Sequence, residues 1–184
     1  MFRATLFAIG LIAATNPLLA DEVSDTLSSA LEAYEEGDID YAIEELDYAK
    51  QLLQGMKTEA LTAFLPAAPD GWSREIDTEM NAGMAFLGGG VGASAEYMKG
   101  SESMSVTIMA NNPMVTAFGG MIGNAAMLGM KVERVGREKF LWDDGELTGL
   151  IDNRIMIQIE AQDKATALAL AEDIDFKALE EFGG

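Results

Sequence analysis

The chain has 184 residues, with 31 Asp and Glu against 12 Lys and Arg, a formal net charge of −19, no cysteine and no histidine. Such a field repels nucleic-acid phosphates and anionic lipid headgroups and favours solubility, which excludes nucleic acid as a partner. The missing residue types remove disulfides, thiol chemistry and lipid attachment to a cysteine, together with the usual neutral-pH general base and the commonest zinc or copper ligand.

Residues 1–20 differ from the rest. Met1-Phe2-Arg3 makes a positive start, residues 4–14 are apolar or small apart from Thr5, and Thr15-Asn16-Pro17 breaks the run before Leu18-Leu19-Ala20 and Asp21-Glu22. That order is the pattern of a secretory signal. A membrane anchor needs about 20 apolar residues, and this run is shorter. The expectation is an exported, unlipidated, soluble protein whose mature part starts near Asp21 and which is not an integral membrane protein. An export signal without cysteine suits the bacterial periplasm better than a disulfide-forming secretory route.

Residues 21–65 are expected to form an acidic helical hairpin. Leu27, Ala30, Leu31 and Tyr34 recur at helical steps, as do Ala42, Ile43, Leu46, Ala49, Leu52 and Leu53, so each set is expected on one apolar face. Gly37 is expected to end the first helix in the left-handed conformation, Asp38 or Asp40 to cap the second, and Pro66 and Pro69 to stop it. The run Ala33-Tyr34-Glu35-Glu36-Gly37-Asp38-Ile39-Asp40-Tyr41-Ala42-Ile43, followed by Leu46 and Ala49, resembles the turn and second helix of a tetratricopeptide repeat. Thr26 and Ser29 depart from that pattern, standing where large apolar residues would be expected. One repeat does not bury its face alone. The hairpin is therefore expected to pack on the rest of the protein or on another subunit, which leaves a homo-oligomer open.

Residues 66–184 are expected to form an α+β domain. Residues 65–72, with Pro66, Pro69 and Gly71, read as a turn-rich linker ending in the anchoring Trp72. Strands are expected at 93–98 and 104–109 around the turn Lys99-Gly100-Ser101-Glu102, then at 131–135, 138–142, 146–151 and 154–160, with turns at Gly136, Asp143-Asp144-Gly145 and Asp152-Asn153. A closing helix follows at 164–172, and Asp175-Phe176 begins a last turn. The fold class is thus α+β: an N-terminal helical hairpin, then an antiparallel β-meander with an inserted Met/Gly-rich helix and a C-terminal helix. The residues Leu65-Pro66 through Gly71-Trp72, the strand at 105–110, and Asn153-Arg154-Ile155-Met156-Ile157-Gln158-Ile159 leading to Ile174-Asp175-Phe176 resemble bacterial periplasmic domains of the Mog1/PsbP-like and DcrB-like fold. That resemblance implies a fold and carries no catalytic residues.

Two segments stand out. Residues 82–94 hold Gly88-Gly89-Gly90 and Gly92, read as a connector or a bulged strand edge because no dinucleotide-type helix follows. Residues 103–130 carry no charge at all. Within them Asn111-Asn112 are cap candidates, Pro113 starts a helix, and Met114, Phe118, Met121, Ile122, Met127 and Met130 form a candidate interaction surface. Gly119 and Gly123 would allow a close backbone approach. Three readings compete for this helix: burial between the sheet and the hairpin, an adaptable surface for an apolar partner or ligand, and a thioether site for Cu(I) or Ag(I).

Catalytic motifs are missing: the sequence has no Ser-x-x-Lys, Gly-x-Ser-x-Gly or Gly-x-x-x-x-Gly-Lys, the spacings that nucleophilic and phosphate-handling sites use. Glu36, Asp38 and Asp40 alternate as calcium-loop ligands do, yet the sixth residue from Asp38 is Ile43 where the loop needs glycine, so a capped helix turn is the better account. Asp143-Asp144 reads as a hairpin tip and not as a hydrolytic pair. The expected role is a binding or interaction protein, not an enzyme, with no cofactor. It would meet an apolar partner through residues 112–130, with a Met-based Cu(I)/Ag(I) buffer and a structural module without a ligand as alternatives.

Overall fold

A computed structural model describes residues 17–77, 89–125 and 130–183. The expected leader up to residue 16, Gly88 of the glycine run and Met127 lie outside the described residues. The chain divides into two compact units, Met1–Leu53 and Gln54–Gly184.

The first unit holds the helical hairpin as far as Leu53. Helix α1 (Pro17–Glu36) starts on the leader side of the expected cut, and α2 (Ile39–Thr62) follows after two residues. The turn is set by backbone geometry. Gly37 takes φ +85°, its N–H donates to the Tyr34 carbonyl at 3.1 Å, and the Asp38 N–H donates to the Ala33 carbonyl at 2.9 Å, the paired bonds of a Schellman motif. Asp38 then caps α2 by accepting from the Tyr41 N–H at 3.2 Å. The Tyr48 hydroxyl donates to Glu22 Oε1 at 2.7 Å across the hairpin.

The expected apolar faces are corrected here. The buried side of α1 is Val23, Thr26, Ala30 and Ala33, and that of α2 holds Ala42 and Ala49, while Leu27, Leu31, Tyr34, Ile43, Leu46 and Leu53 are exposed. Each residue turns a helix by about 100°, so the buried alanine row of α1 lies one position round from the leucine row. Small side chains face inward because they let backbones approach closely. Thr26 is tolerated inside because its hydroxyl donates to the Glu22 carbonyl at 2.8 Å, leaving no polar atom unsatisfied.

The second unit is α+β, as expected. Strands β1 (Ser73–Asp77), β2 (Val91–Lys99), β3 (Glu102–Ala110), β4 (Val132–Val135), β5 (Glu138–Asp143), β6 (Glu146–Ile151) and β7 (Ile155–Glu160) accompany helices α3 (Pro113–Asn124), α4 (Lys164–Glu172) and α5 (Phe176–Glu180). They form a seven-stranded sheet in the order β1-β2-β3-β7-β6-β5-β4, antiparallel at every neighbour. Two meanders, β1–β3 and β4–β7, therefore join through the β3–β7 pair. Strand β1 lies directly after the linker at 65–72, where no strand was expected.

Period-two alternation sends one set of side chains to each face. Tyr97, Val106, Ile108, Phe140, Leu147, Ile155, Ile157 and Ile159 form the main core with Leu61 and Leu65 and with Ala167, Leu170 and Ala171 of α4 and Leu179. Polar closures hold its rim. The Tyr97 hydroxyl donates to the Pro66 carbonyl at 2.7 Å, and Arg74 Nη1 donates to the carbonyls of Leu65 and Pro66 at 3.0 and 2.9 Å. Burial raises the Tyr97 pKa, with Arg74 opposing the shift. Asp163 caps α4 by accepting from the Thr166 N–H at 3.0 Å. Among the described residues no helix is long and apolar enough to cross a membrane.

Candidate functional site

Helix α3 and its approach form the site that the uncharged segment pointed to. Gly90 opens it. A Cβ there would stand 2.8 Å from the Ala110 carbonyl oxygen and 3.1 Å from Asn112 Cβ, and its φ is +102°, so only glycine lets the two stretches of backbone meet. Asn112, 2% exposed, uses both ends of its amide: Nδ2 donates to the Gly89 carbonyl at 2.6 Å, and Oδ1 accepts from the Met114 N–H at 2.8 Å. It is the N-cap of α3, with Pro113 in the first turn, as the sequence suggested.

The inward side of α3 lies over the second face of the sheet. Val115 is buried with Met109, Leu150 and Met156, and Phe118 and Ile122 pack half-buried against them. Met109 and Met156 are register partners on β3 and β7. A Cβ on Gly119 would stand 3.5 Å from Leu150 Cδ1, an ordinary van der Waals contact with a side chain and not the close backbone approach expected there. The outward side is different: Met114 is 50% exposed, and Ala117 and Gly120 are exposed too. Thus Met114 presents its thioether outward while Phe118 and Ile122 anchor the helix. Met121 lies on α3, Met130 is half-buried beyond it, and the Met130 N–H donates to the Ala125 carbonyl at 3.0 Å.

Beside the N-terminus of α3 is a groove of about 850 Å³ lined by Asn111, Asn112, Pro113, Val115, Ala117, Asn153 and Arg154. Two of its lining residues, and the neighbour of one, have left-handed backbones. Asn111, Asp152 and Asn153 have φ of 57°, 50° and 52°, a region that asparagine and aspartate tolerate better than most residues. The Asn111 N–H donates to the Arg154 carbonyl at 3.1 Å, which ties the end of β3 to the β6–β7 turn. Arg154 is committed elsewhere: Nε pairs with Asp152 Oδ2 at 3.0 Å, Nη1 donates to the Phe182 carbonyl at 2.6 Å, and Nη2 donates to the Glu180 carbonyl. The groove therefore has amide and apolar walls, and its one charged lining residue, Arg154, is paired with Asp152. Sequence patterning missed the contribution of Asn153 and Arg154, because the turn that delivers them carries no signal for what lies beside it.

The polar remainder of that sheet face holds a second groove of about 510 Å³, whose lining includes Glu96, Met98, Ser105, Asp144, Glu146 and Glu160. Glu146 Oε1 accepts from Gln158 Nε2 at 3.2 Å and from the Thr148 hydroxyl. Asp144 and Gly145, with φ of 43° and 91°, are the two-residue tip joining the register partners Asp143 and Glu146, a primed turn. Among the described residues no group of three or more His, Cys, Asp or Glu is placed to hold a metal ion.

No protein-family model, curated protein or solved structure matches this chain.

Proposed function

We propose that this chain is an exported binding protein of the bacterial periplasm that meets an apolar partner or ligand through residues 112–130. The observation that carries the reading is the charge-free outer side of α3. In a chain of net charge −19, residues 103–130 hold no ionisable side chain, and Met114 and Ala117 nonetheless face outward beside a groove lined mainly by amide and apolar groups. An exposed apolar patch on an otherwise charged protein marks a contact surface, and methionine adapts to irregular apolar shapes. The leader-like residues 1–20 and the resemblance to Mog1/PsbP-like and DcrB-like periplasmic domains support the location. The lack of imidazole and thiol side chains supports contact as the role, in place of bond-making.

Hydrophobic-dye fluorescence on the folded mature protein tests this. Met114→Glu places a charge on the exposed side without touching the Met109–Val115–Leu150–Met156 cluster. In the Leu31→Ser/Ile43→Ser background, which removes exposed apolar side chains of the hairpin, it should lower the remaining dye binding severalfold at unchanged circular dichroism and unchanged melting temperature. Equal dye binding with and without Met114→Glu in that background would refute the reading.

A further inference from the structure

The hairpin carries a second contact surface, independent of α3. Leu31 is 59% exposed and Tyr34 65%, with Ile43 and Leu46 each at 52%. Leu27, Leu31 and Tyr34 are spaced four and three apart on α1, and Ile39, Ile43 and Leu46 repeat that spacing on α2, so each helix presents a continuous outer stripe. Isolated exposed leucines are ordinary, but two aligned stripes on one hairpin are not.

The charges beside these stripes say what could cover them. An acid follows the apolar residue at the four central steps: Leu31-Glu32, Tyr34-Glu35, Ile43-Glu44 and Leu46-Asp47. One position round a helix is about 100°, and the two helices of a hairpin run in opposite directions, so the carboxylates fall on the two outer flanks and border the apolar stripes from both sides; all four are exposed. Lys50 is the only base in residues 21–53. A second copy would set carboxylate rim against carboxylate rim, and an anionic lipid surface would be repelled in the same way. The complementary surface is apolar with a cationic border.

We propose that the outer face of the α1–α2 hairpin docks a cationic amphipathic helix, whose leucine-like stripe lies on Leu31, Tyr34, Ile43 and Leu46 while its Lys or Arg side chains meet the acidic rim. This is helix-on-helix recognition read at positions i, i+4 and i+7. The rim charges speed encounter and select the partner, and the apolar stripe holds it.

Titration of the full mature chain with a synthetic Leu/Lys peptide of amphipathic helical order tests this, against a scrambled peptide of identical composition. The ordered peptide should bind at least about tenfold more tightly than the scrambled one, a difference of about 1.4 kcal/mol, gain helicity on binding, and weaken as salt rises. The Leu31→Ser/Ile43→Ser variant replaces only exposed side chains and should lose that preference, whereas Met114→Glu should keep it. Equal binding of the two peptides would reduce the effect to bulk charge and overturn the proposal, as would unchanged binding by the double variant. Concentration-dependent dimerisation at neutral pH that the double variant abolishes would overturn it in favour of a second copy. Co-flotation with neutral phosphatidylcholine vesicles, lost in the same variant, would overturn it in favour of a lipid surface.

Discussion

At Gly149 a missing side chain is structural. The residue is the register partner of Phe140 on β5, whose ring is wholly buried and lies 5.8 Å from that of Phe176. A Cβ at position 149 would stand 2.8 Å from Phe140 Cζ and closer still to Cε1 and Cδ1. The ring therefore lies flat over the glycine and fills the space a side chain would have occupied. Gly149→Ala must displace a close-packed aromatic, and overpacking of this kind costs about 1–3 kcal/mol. Chemical denaturation should show a lower midpoint with an unchanged slope, since the same surface is exposed on unfolding. An alanine variant as stable as the wild type would mean that the ring has room to move. Asn112 represents the opposite case at this scale, a side chain whose every polar atom is spent on positioning α3.

At the scale of elements, two carboxylates of the second unit titrate in opposite senses. Glu138 at the start of β5 has its pKa raised, first by burial and then by the Glu180 charge on α5. A raised acid favours the folded state only where it is protonated. Its contribution is therefore most favourable below the unfolded-state value near 4.5 and is lost as pH rises through the folded value. Asp163 has its pKa lowered, chiefly by the Thr166 backbone N–H and then by the Thr166 hydroxyl, so its contribution is present above the ordinary aspartate range and is lost as pH falls. Glu138→Gln should therefore stabilise the protein at neutral pH, by about 0.5 kcal/mol or less once solvent screening of a largely exposed group is allowed for. The gain should shrink towards zero below about pH 4, where glutamate itself is neutral. Thermal melts of both proteins across that range check the sign. Several elements were legible beforehand because local chemistry sets them: Gly37 and Asp38 at the hairpin turn, Asn112 and Pro113 at α3, and the alternation along 103–108 of β3 and 157–160 of β7. Strand β1 was not. Ser73-Arg74-Glu75-Ile76-Asp77 has one apolar residue, and it is a strand because it pairs with β2 along its whole length, a property of the partner. The outer side of α3 could be named from its lack of charge, but the groove beside it depends on a turn forty residues further along the chain, at Asn153 and Arg154.

For the whole molecule, charge and exposed apolar surface have to be read together. The hairpin turns its alanines inward and its leucines, isoleucines and tyrosines outward, an arrangement that would invite self-association in a neutral protein. A net charge of −19 opposes it, because each hairpin carries its carboxylates next to its apolar stripes and copies repel at short range as well as at long range. That restraint is titratable. As pH falls towards the isoelectric point of about 4.1, the carboxylates are neutralised while the apolar stripes persist, so association should set in before the fold is lost. Light scattering should rise steeply between about pH 5 and pH 4, within the carboxylate titration range, with secondary structure intact, and it should reverse on returning to neutral pH. Added salt at neutral pH should produce a weaker version of the same effect by screening. Leu31→Ser/Ile43→Ser, which leaves every charge in place, should move the onset to lower pH. An onset unchanged in that variant would mean that copies associate through some other surface, and the acidic rim would then have no part in keeping the hairpins apart.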